Sequence, residues 1–152
     1  MKAISVRQPW AWLIAQGYRD VDNQSYPSSY RGWVLIHASA SFDFEAFFDA
    51  RIARRALKNQ WATGPVFRRF GVEIQLPPLH TLPLGGIVGK ARIVACVTEA
   101  EAVSPWFTGP YGLVLTDSQP MEFIPYLSTL RFFDVLEDVP EGEVDWVTKV
   151  YG

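Results

Sequence analysis

The fold is decided by the stretch ISVRQPWAWLI, residues 4–14, together with WVLIHAS, residues 33–39. The first stretch begins as a short apolar strand. Pro9 then opens a helix, because proline is well tolerated in a first helical turn, where its missing N–H would have no partner. The second stretch predicts a buried strand that ends at His37 and Ser39. If these two strand ends and the helix start converge, they form a cleft lined by polar and aromatic side chains.

The helix that follows Pro9 is predicted to be short. Trp10, Leu13 and Ile14 lie at positions i, i+3 and i+4, which gives the helix one apolar face. Gly17 predicts its end, since glycine is the residue most often found just beyond a helix C-terminus. The apolar face should pack against the neighbouring strands.

The rest of the chain reads as further strands with few helices. Strands are predicted over residues 87–97, 113–116 and 130–136, and a helix over residues 41–58 with a serine as its N-cap. Residues 59–86 are rich in proline and glycine and predict a short helix and a long loop, an insertion or lid. Strands without regular βαβ alternation predict a single α+β domain around a curled, largely closed sheet.

The composition is that of a globular protein. Of the 152 residues, 49% are hydrophobic and 20% are charged, which argues against disorder of the body. No apolar run is long enough to span a bilayer, and no signal peptide is visible, so we expect no membrane partner. Cys96 is the only cysteine and the two histidines are far apart, so we expect no disulfide, metal or cofactor and a cytoplasmic location.

The charge is unevenly distributed along the chain. The formal net charge is −2, but residues 134–145 carry six acids and no base. The rest of the chain has ten acidic and fourteen basic residues, so it is mildly basic. This balance is compatible with an anionic ligand, whereas a surface that coats DNA regardless of sequence would need many more cations.

The densest polar set near the first helix is RDVDNQ, residues 19–24. If this segment is extended, successive side chains point to opposite faces, with Arg19 and Asn23 on one face and Asp22 on the other. One interpretation places these residues in the cleft, where a carboxylate and amides read the edge of a base. The alternative is a solvated edge strand with a surface Arg–Asp pair.

The aromatic residues and the remaining polar residues allow two interpretations each. Trp10 and Trp106 can stack a base, although tryptophan is more often a core residue, as we expect for Trp33. His37 can serve as an acid or base near neutral pH or as a buried, hydrogen-bonded structural residue. The basic residues 51–58 form either a solvated helix face or part of an RNA footprint. No serine has the Gly-x-Ser-x-Gly context of a nucleophile elbow.

Several short motifs resemble the ASCH domain, a member of the PUA-like superfamily. They are SVRQPWA at residues 5–11, GYRDVDN at 17–23, YRG at 30–32, LIHAS at 35–39, GIVGKA at 86–91, SPWF at 104–107 and GPYG at 109–112. The resemblance implies a mixed, partly closed β-barrel of about five to seven strands flanked by two to four helices. It also implies binding of RNA or a modified nucleotide. Some relatives are ribonucleases for single-stranded RNA, and others are amidohydrolases acting on acetylated cytidine.

The chain departs from the family pattern at residues 17–24. The family often has Gly-x-Lys-x-Val/Ile-Glu-x-Arg there, whereas this chain has Arg19 for the lysine, Asp22 for the glutamate (or the threonine of the amidohydrolases) and Gln24 for the arginine. Arginine stays protonated and cannot act as a general base as lysine can. The resemblance therefore favours binding over lysine-dependent chemistry.

The sequence thus predicts a module that binds single-stranded RNA, a nucleotide or a nucleoside. The alternatives are a hydrolase of the same fold, with Asp22 or His37 as the catalytic base, and a protein-interaction module. The predicted ligand-binding residues comprise phosphate-facing arginines, base-stacking tryptophans, base-reading polar side chains and two further lining residues. These are Arg7, Arg19, Arg31, Trp10, Trp106, Gln8, Asp22, Asn23, Ser39 and Tyr111.

Overall fold

The computed structural model describes residues 1–44, 54–55, 58, 64–69, 71–128 and 131–135. The main element of the fold is one six-stranded sheet, and a separate two-stranded hairpin packs beside it. The elements in chain order are β1 (Lys2–Gln8), α1 (Trp10–Ala15), β2 (Val21–Gln24), β3 (Gly32–Phe42), β4 (Val66–Arg69), β5 (Val72–Gln75), a 3-10 helix (Leu79–Thr81), β6 (Gly86–Val97), β7 (Tyr111–Pro125) and β8 (Phe132–Asp134).

The large sheet is mixed, with the strand order β2-β7-β6-β3-β1-β8. β1 and β3 are parallel, and all its other neighbours are antiparallel. Within the described residues no backbone pairing joins the edge strands β2 and β8, so the predicted barrel is not closed. Across this gap the Arg131 side chain donates a hydrogen bond of 3.0 Å to the Asn23 carbonyl. The gap is where the candidate site lies.

The helix α1 connects two apolar clusters. Ile14 is fully buried against strands of the large sheet, while Leu13 is fully buried in a second cluster with Phe67 of the hairpin. α1 lies close to β6 at Gly89, where an added Cβ would be 2.8 Å from the Cβ of Ala15. Among the described residues, no helix has the length and apolar character needed to cross a membrane.

The elements predicted for the N-terminal block are confirmed. A strand precedes Pro9, α1 follows it, and Gly17 ends the helical segment with a φ of +85°. The strands predicted over residues 33–38 and 87–97 are also present. The strand predicted over residues 113–116 is much longer, because it pairs with both β2 and β6.

Several predictions need correction. Ser41 does not cap a helix, since β3 continues through it to Phe42. Most of the helix predicted over residues 41–58 lies outside the described residues, as do nearly all of the acidic segment and the ends of the last predicted strand. Trp33 is only partly buried, with the Lys90 ammonium 4.9 Å and the Arg92 guanidinium 5.1 Å from its ring centroid.

The segment predicted as a short helix and loop contains the hairpin β4–β5. Phe67 and Ile74 pair across it and are buried, while Arg68, Glu73 and Gln75 beside them are exposed. Gly71 supplies a φ of +75° in the turn, a conformation that glycine adopts without steric cost. Each strand has only four residues, so its alternation is a weak signal beside the surrounding prolines and glycines.

Candidate functional site

A cleft of about 680 Å³ opens between β1, β2 and the segment that precedes β8. The end of β3, the start of α1, the end of the hairpin strand β4 and the loop before β7 complete its walls. Its lining is mainly polar, with two tryptophans. The lining residues are Ser5, Val6, Arg7, Trp10, Arg19, Asp22, Asn23, Ser39, Ala40, Ser41, Asp43, Arg69, Trp106, Thr108, Ser128 and Arg131.

Trp10 occupies the centre of the cationic part of the cleft. The Arg19 guanidinium lies 4.8 Å from its ring centroid and the Arg69 guanidinium 5.5 Å. The indole N–H donates a hydrogen bond of 2.8 Å to Asp43, and the ring packs edge-on against Trp106 at a centroid distance of 6.4 Å. Cations over an indole face are attracted by the ring quadrupole. Trp10 therefore positions two arginines, a different role from the predicted stacking of a base.

Trp106 is largely enclosed by protein. Only 8% of its surface is exposed, and its ring stacks on Phe67 with a centroid distance of 5.6 Å and an interplanar angle of 19°. Its carbonyl accepts a hydrogen bond of 3.1 Å from the Asn23 amide. The Asn23 side-chain oxygen accepts a further bond from the backbone N–H of Thr108. Asn23 thus holds the loop before β7 in place. It does so through the side-chain amide that was predicted to read a base.

Arg19 and Asp22 form the buried polar floor of the cleft. Arg19 is only 8% exposed and Asp22 only 1%. Burial lowers the pKa of Arg19, which the Asp22 carboxylate partly offsets. Burial raises the pKa of Asp22, against the opposing effects of Arg19, Arg131 and a hydrogen bond from the Gln24 amide. A carboxyl group in this setting can donate or accept a hydrogen bond, depending on its protonation.

The charges of the lining favour an anion. Within the described part of the chain, four arginines face two aspartates across the cleft. The exposed Arg7 guanidinium lies 3.4 Å from Asp43, and that of Arg131 lies 3.8 Å from Asp22. Even with both aspartates ionised, the lining keeps a surplus of two positive charges. Guanidinium groups are suited to carboxylate and phosphate oxygens because their donors form a planar fork.

The burial of Asp22 predicts a specific pH dependence of stability. Its raised pKa means that the folded protein holds this proton more tightly than the unfolded chain, whose value lies near 3.8. This contribution to the free energy of unfolding is fully present below about pH 4 and is lost as the pH rises through the folded-state pKa. Urea unfolding from pH 3 to 8 should show wild type losing stability relative to Asp22→Asn as the pH rises. A constant difference would contradict this assignment.

Three predicted ligand-binding residues lie outside the cleft lining. Gln8 is fully buried, and its amide donates to the Pro83 carbonyl at 3.0 Å and accepts from the Trp12 backbone N–H at 2.9 Å. Arg31 is exposed and bonds to nearby backbone carbonyls. Tyr111 begins β7 and pairs with β2 in the sheet. Gln8 therefore fixes the start of α1 instead of reaching the cleft.

His37 also lies outside the lining, and its side chain is hydrogen-bonded to one of the lining residues, Ser5. The imidazole is 1% exposed, with Nδ1 2.8 Å from the Ser5 Oγ and Nε2 hydrogen-bonded to the Tyr126 carbonyl. Burial lowers the pKa of His37, which the bond to Tyr126 partly offsets. The geometry of His37 is therefore that of a buried, hydrogen-bonded residue, one of the two roles that the sequence allowed. Its catalytic role stays a prediction.

The basic residues predicted to widen an RNA footprint are described only in part. Arg54, Arg55 and Lys58 are exposed, and the Arg54 guanidinium lies 4.7 Å from the ring centroid of Phe44. Arg51 lies outside the described residues. Exposure is compatible with either a solvated face or an RNA contact.

The sequence did not indicate four of the polar residues that the structure adds to the cleft. Asp43 follows β3, Arg69 ends β4 and Arg131 precedes β8, each far along the chain from residues 19–24. Ser5 belongs to the opening motif, but its position next to an imidazole depends on the parallel pairing of β1 with β3. For Arg69, the only signal was a basic pair between two phenylalanines.

Among known proteins, similarity to this chain was found only in solved structures. No protein-family model matches the chain, and no curated protein does. The crystal structure of ASCH from Zymomonas mobilis has 16% identity and a TM-score of 0.43, covering 82% of this chain and 72% of that chain. Two single-substitution variants of that protein match at 17% and 16% identity with the same TM-score, covering 82% of this chain and 72% and 74% of theirs. These structures belong to the family that the sequence motifs resemble.

Proposed function

We propose that this protein binds RNA or a nucleotide in the arginine-lined cleft, with phosphate held by guanidinium groups. The observation that carries the proposal is the convergence of four arginines on one cleft, with Arg19 almost buried against Trp10. Burying a cation costs free energy unless charge or hydrogen bonding offsets it. The two aspartates balance only two of the four arginines. An anionic ligand would offset the remaining positive charge and so lower the cost of burying it.

The cleft also offers groups that suit the sugar and base of a nucleotide. Asp22 lies at its floor, and hydroxyl groups of Ser39, Ser41 and Thr108 line its walls. Carboxylates accept hydrogen bonds from amino groups of bases, and a protonated carboxyl can donate to a ring nitrogen. A volume of about 680 Å³ is within the usual range of small-molecule sites. A concave site of this size suits a splayed single-stranded nucleotide better than a duplex.

Calorimetric titration with matched ligands tests this proposal. We expect AMP to bind about tenfold or more tightly than adenosine, because the phosphate engages the arginines through charge-assisted hydrogen bonds. A single-stranded RNA hexamer should bind with an affinity that falls as salt increases, whereas the same sequence in a duplex should bind more weakly. Equal affinity for AMP and adenosine would contradict a phosphate site. No binding of any of these ligands would favour the protein-interaction alternative.

A further inference from the structure

Ser5 has two properties that the proposed binding of RNA or a nucleotide does not require. It lines the arginine-rich cleft, and its Oγ lies 2.8 Å from the Nδ1 of the buried His37. The other ring nitrogen, Nε2, is hydrogen-bonded to the Tyr126 carbonyl. Ser5 belongs to β1 and His37 to β3. Tyr126, whose carbonyl orients the ring, is the residue after β7.

The partners of His37 determine where its proton lies. A carbonyl oxygen can only accept a hydrogen bond, so Nε2 must carry the hydrogen that it shares with Tyr126. In the neutral imidazole Nδ1 is then the unprotonated nitrogen, and Ser5 donates its hydroxyl hydrogen to it. Burial lowers the pKa of His37, which favours the neutral ring. The ring is therefore set to accept a proton from a serine that lines the cleft.

The surroundings also hold the ring in this orientation. Phe133 packs edge-on against the imidazole at a centroid distance of 5.4 Å, and Tyr126 does so at 6.5 Å. A nucleophile within hydrogen-bond reach of a base, with that base oriented by a third group, is the arrangement that activates serine in acyl transfer. In this protein the third group is a backbone carbonyl in place of a carboxylate.

We propose that Ser5 is a nucleophile activated by His37, and that it hydrolyses carboxylic esters of phosphate-bearing molecules bound in the cleft. The substrate class rests on the proposed function, since the arginines would hold its phosphate. The nucleophile itself rests only on the geometry of Ser5, His37 and Tyr126.

The reaction proceeds in two balanced steps. In the first, the Ser5 Oγ forms a bond to the ester carbonyl carbon and its proton passes to the His37 Nδ1. The bond from that carbon to the alcohol oxygen breaks, and the leaving oxygen takes the proton from Nδ1. In the second, water attacks the acyl-Ser5 ester with His37 as base, which releases the carboxylic acid and returns the proton to Oγ. The net reaction is ester plus water to acid plus alcohol.

Labelling with diisopropyl fluorophosphate tests the nucleophile directly. The Ser5 Oγ would bond to phosphorus, fluoride would leave, and the hydroxyl proton would pass to His37. We expect intact-mass analysis of the wild-type chain to show one adduct, mapped to Ser5 by peptide sequencing. Ser5→Ala should lose the adduct, while Ser25→Ala, at an exposed serine outside the cleft, should keep it. His37→Gln should slow labelling at least 100-fold, the lower end of the usual effect of a general base.

The outcomes separate this inference from the binding function. An unlabelled wild-type chain, or label spread over exposed serines, would overturn the nucleophile without any variant having to fold. AMP binding by the wild-type chain, measured alongside, separates a failure of the nucleophile from a failure of the binding cleft. Hydrolysis of 3′-O-acetyl-AMP at least tenfold faster than that of 3′-O-acetyladenosine would support the substrate class. Equal rates, or hydrolysis unaffected by Ser5→Ala, would overturn it.

Discussion

Replacing Arg19 by methionine is expected to weaken AMP binding about 10- to 150-fold. The guanidinium is almost buried, lies over Trp10 and lines the cleft beside Asp22. Removing a charged hydrogen-bond donor costs about 1.5–3 kcal/mol, which converts to that range of affinity. Methionine keeps an unbranched apolar side chain of similar length, so the change is directed at the charge. Calorimetric titration measures the effect.

The matched control is Arg31→Met. The sequence placed Arg31 among the phosphate-facing residues, whereas the structure places it outside the cleft on backbone carbonyls of its own turn. We expect its removal to change AMP affinity less than twofold. For the RNA hexamer, Arg19→Met should also reduce the salt dependence by about one unit of slope, since one phosphate contact is lost. Equal losses in the two variants would contradict the assigned cleft.

Replacing Trp10 by alanine is expected to lower the free energy of unfolding by about 3 kcal/mol, near the lower end for a large aromatic residue because Trp10 is partly exposed. The change removes the edge-on contacts to Phe67 and Trp106 and the hydrogen bond to Asp43. It also removes the surface on which Arg19 lies, so AMP affinity should fall as well. Urea unfolding and titration of the folded fraction measure the two effects.

Two variants separate packing from binding at this position. Trp10→Phe keeps an aromatic ring beneath the guanidinium groups but loses the hydrogen bond to Asp43 and part of the ring surface, so it should retain most of the affinity. Trp33→Ala removes a partly buried tryptophan on the sheet beside Lys90 and Arg92, away from the cleft. It should lower stability while leaving AMP affinity unchanged. An unaltered affinity in Trp10→Ala would contradict the role of Trp10 in positioning Arg19.

The elements that sequence patterns predicted well are those with strong local signals. The strand before Pro9 and the helix stop at Gly17 follow from properties of the chain within a few residues. The hairpin β4–β5 was missed because its four-residue strands owe their formation to burial of Phe67 and Ile74 in a distant cluster. The mixed sheet was predicted, but its closure into a barrel was not found in the described residues, because closure depends on whether β2 meets β8.

The cleft was predicted only in outline. Alternation along an extended segment predicted Arg19 and Asp22 on opposite faces, but Arg19 precedes β2 and donates a hydrogen bond to the Val21 carbonyl, and both residues line the cleft. Asn23 was predicted to read a base, which stays a prediction, and in the structure its side chain holds the loop around Trp106. The partners of Asn23 lie more than 80 residues along the chain, so the local sequence does not indicate them.

By itself the sequence predicted an α+β domain, with a strand, a short helix and a polar stretch that were expected to meet in a cleft. Those features arise from local periodicity and from the backbone limits of proline and glycine. Only the tertiary structure decided which charges meet in the cleft, because Arg69 and Arg131 arrive from remote segments. It also decided that Ser5 meets His37, since that contact requires the parallel register of β1 on β3.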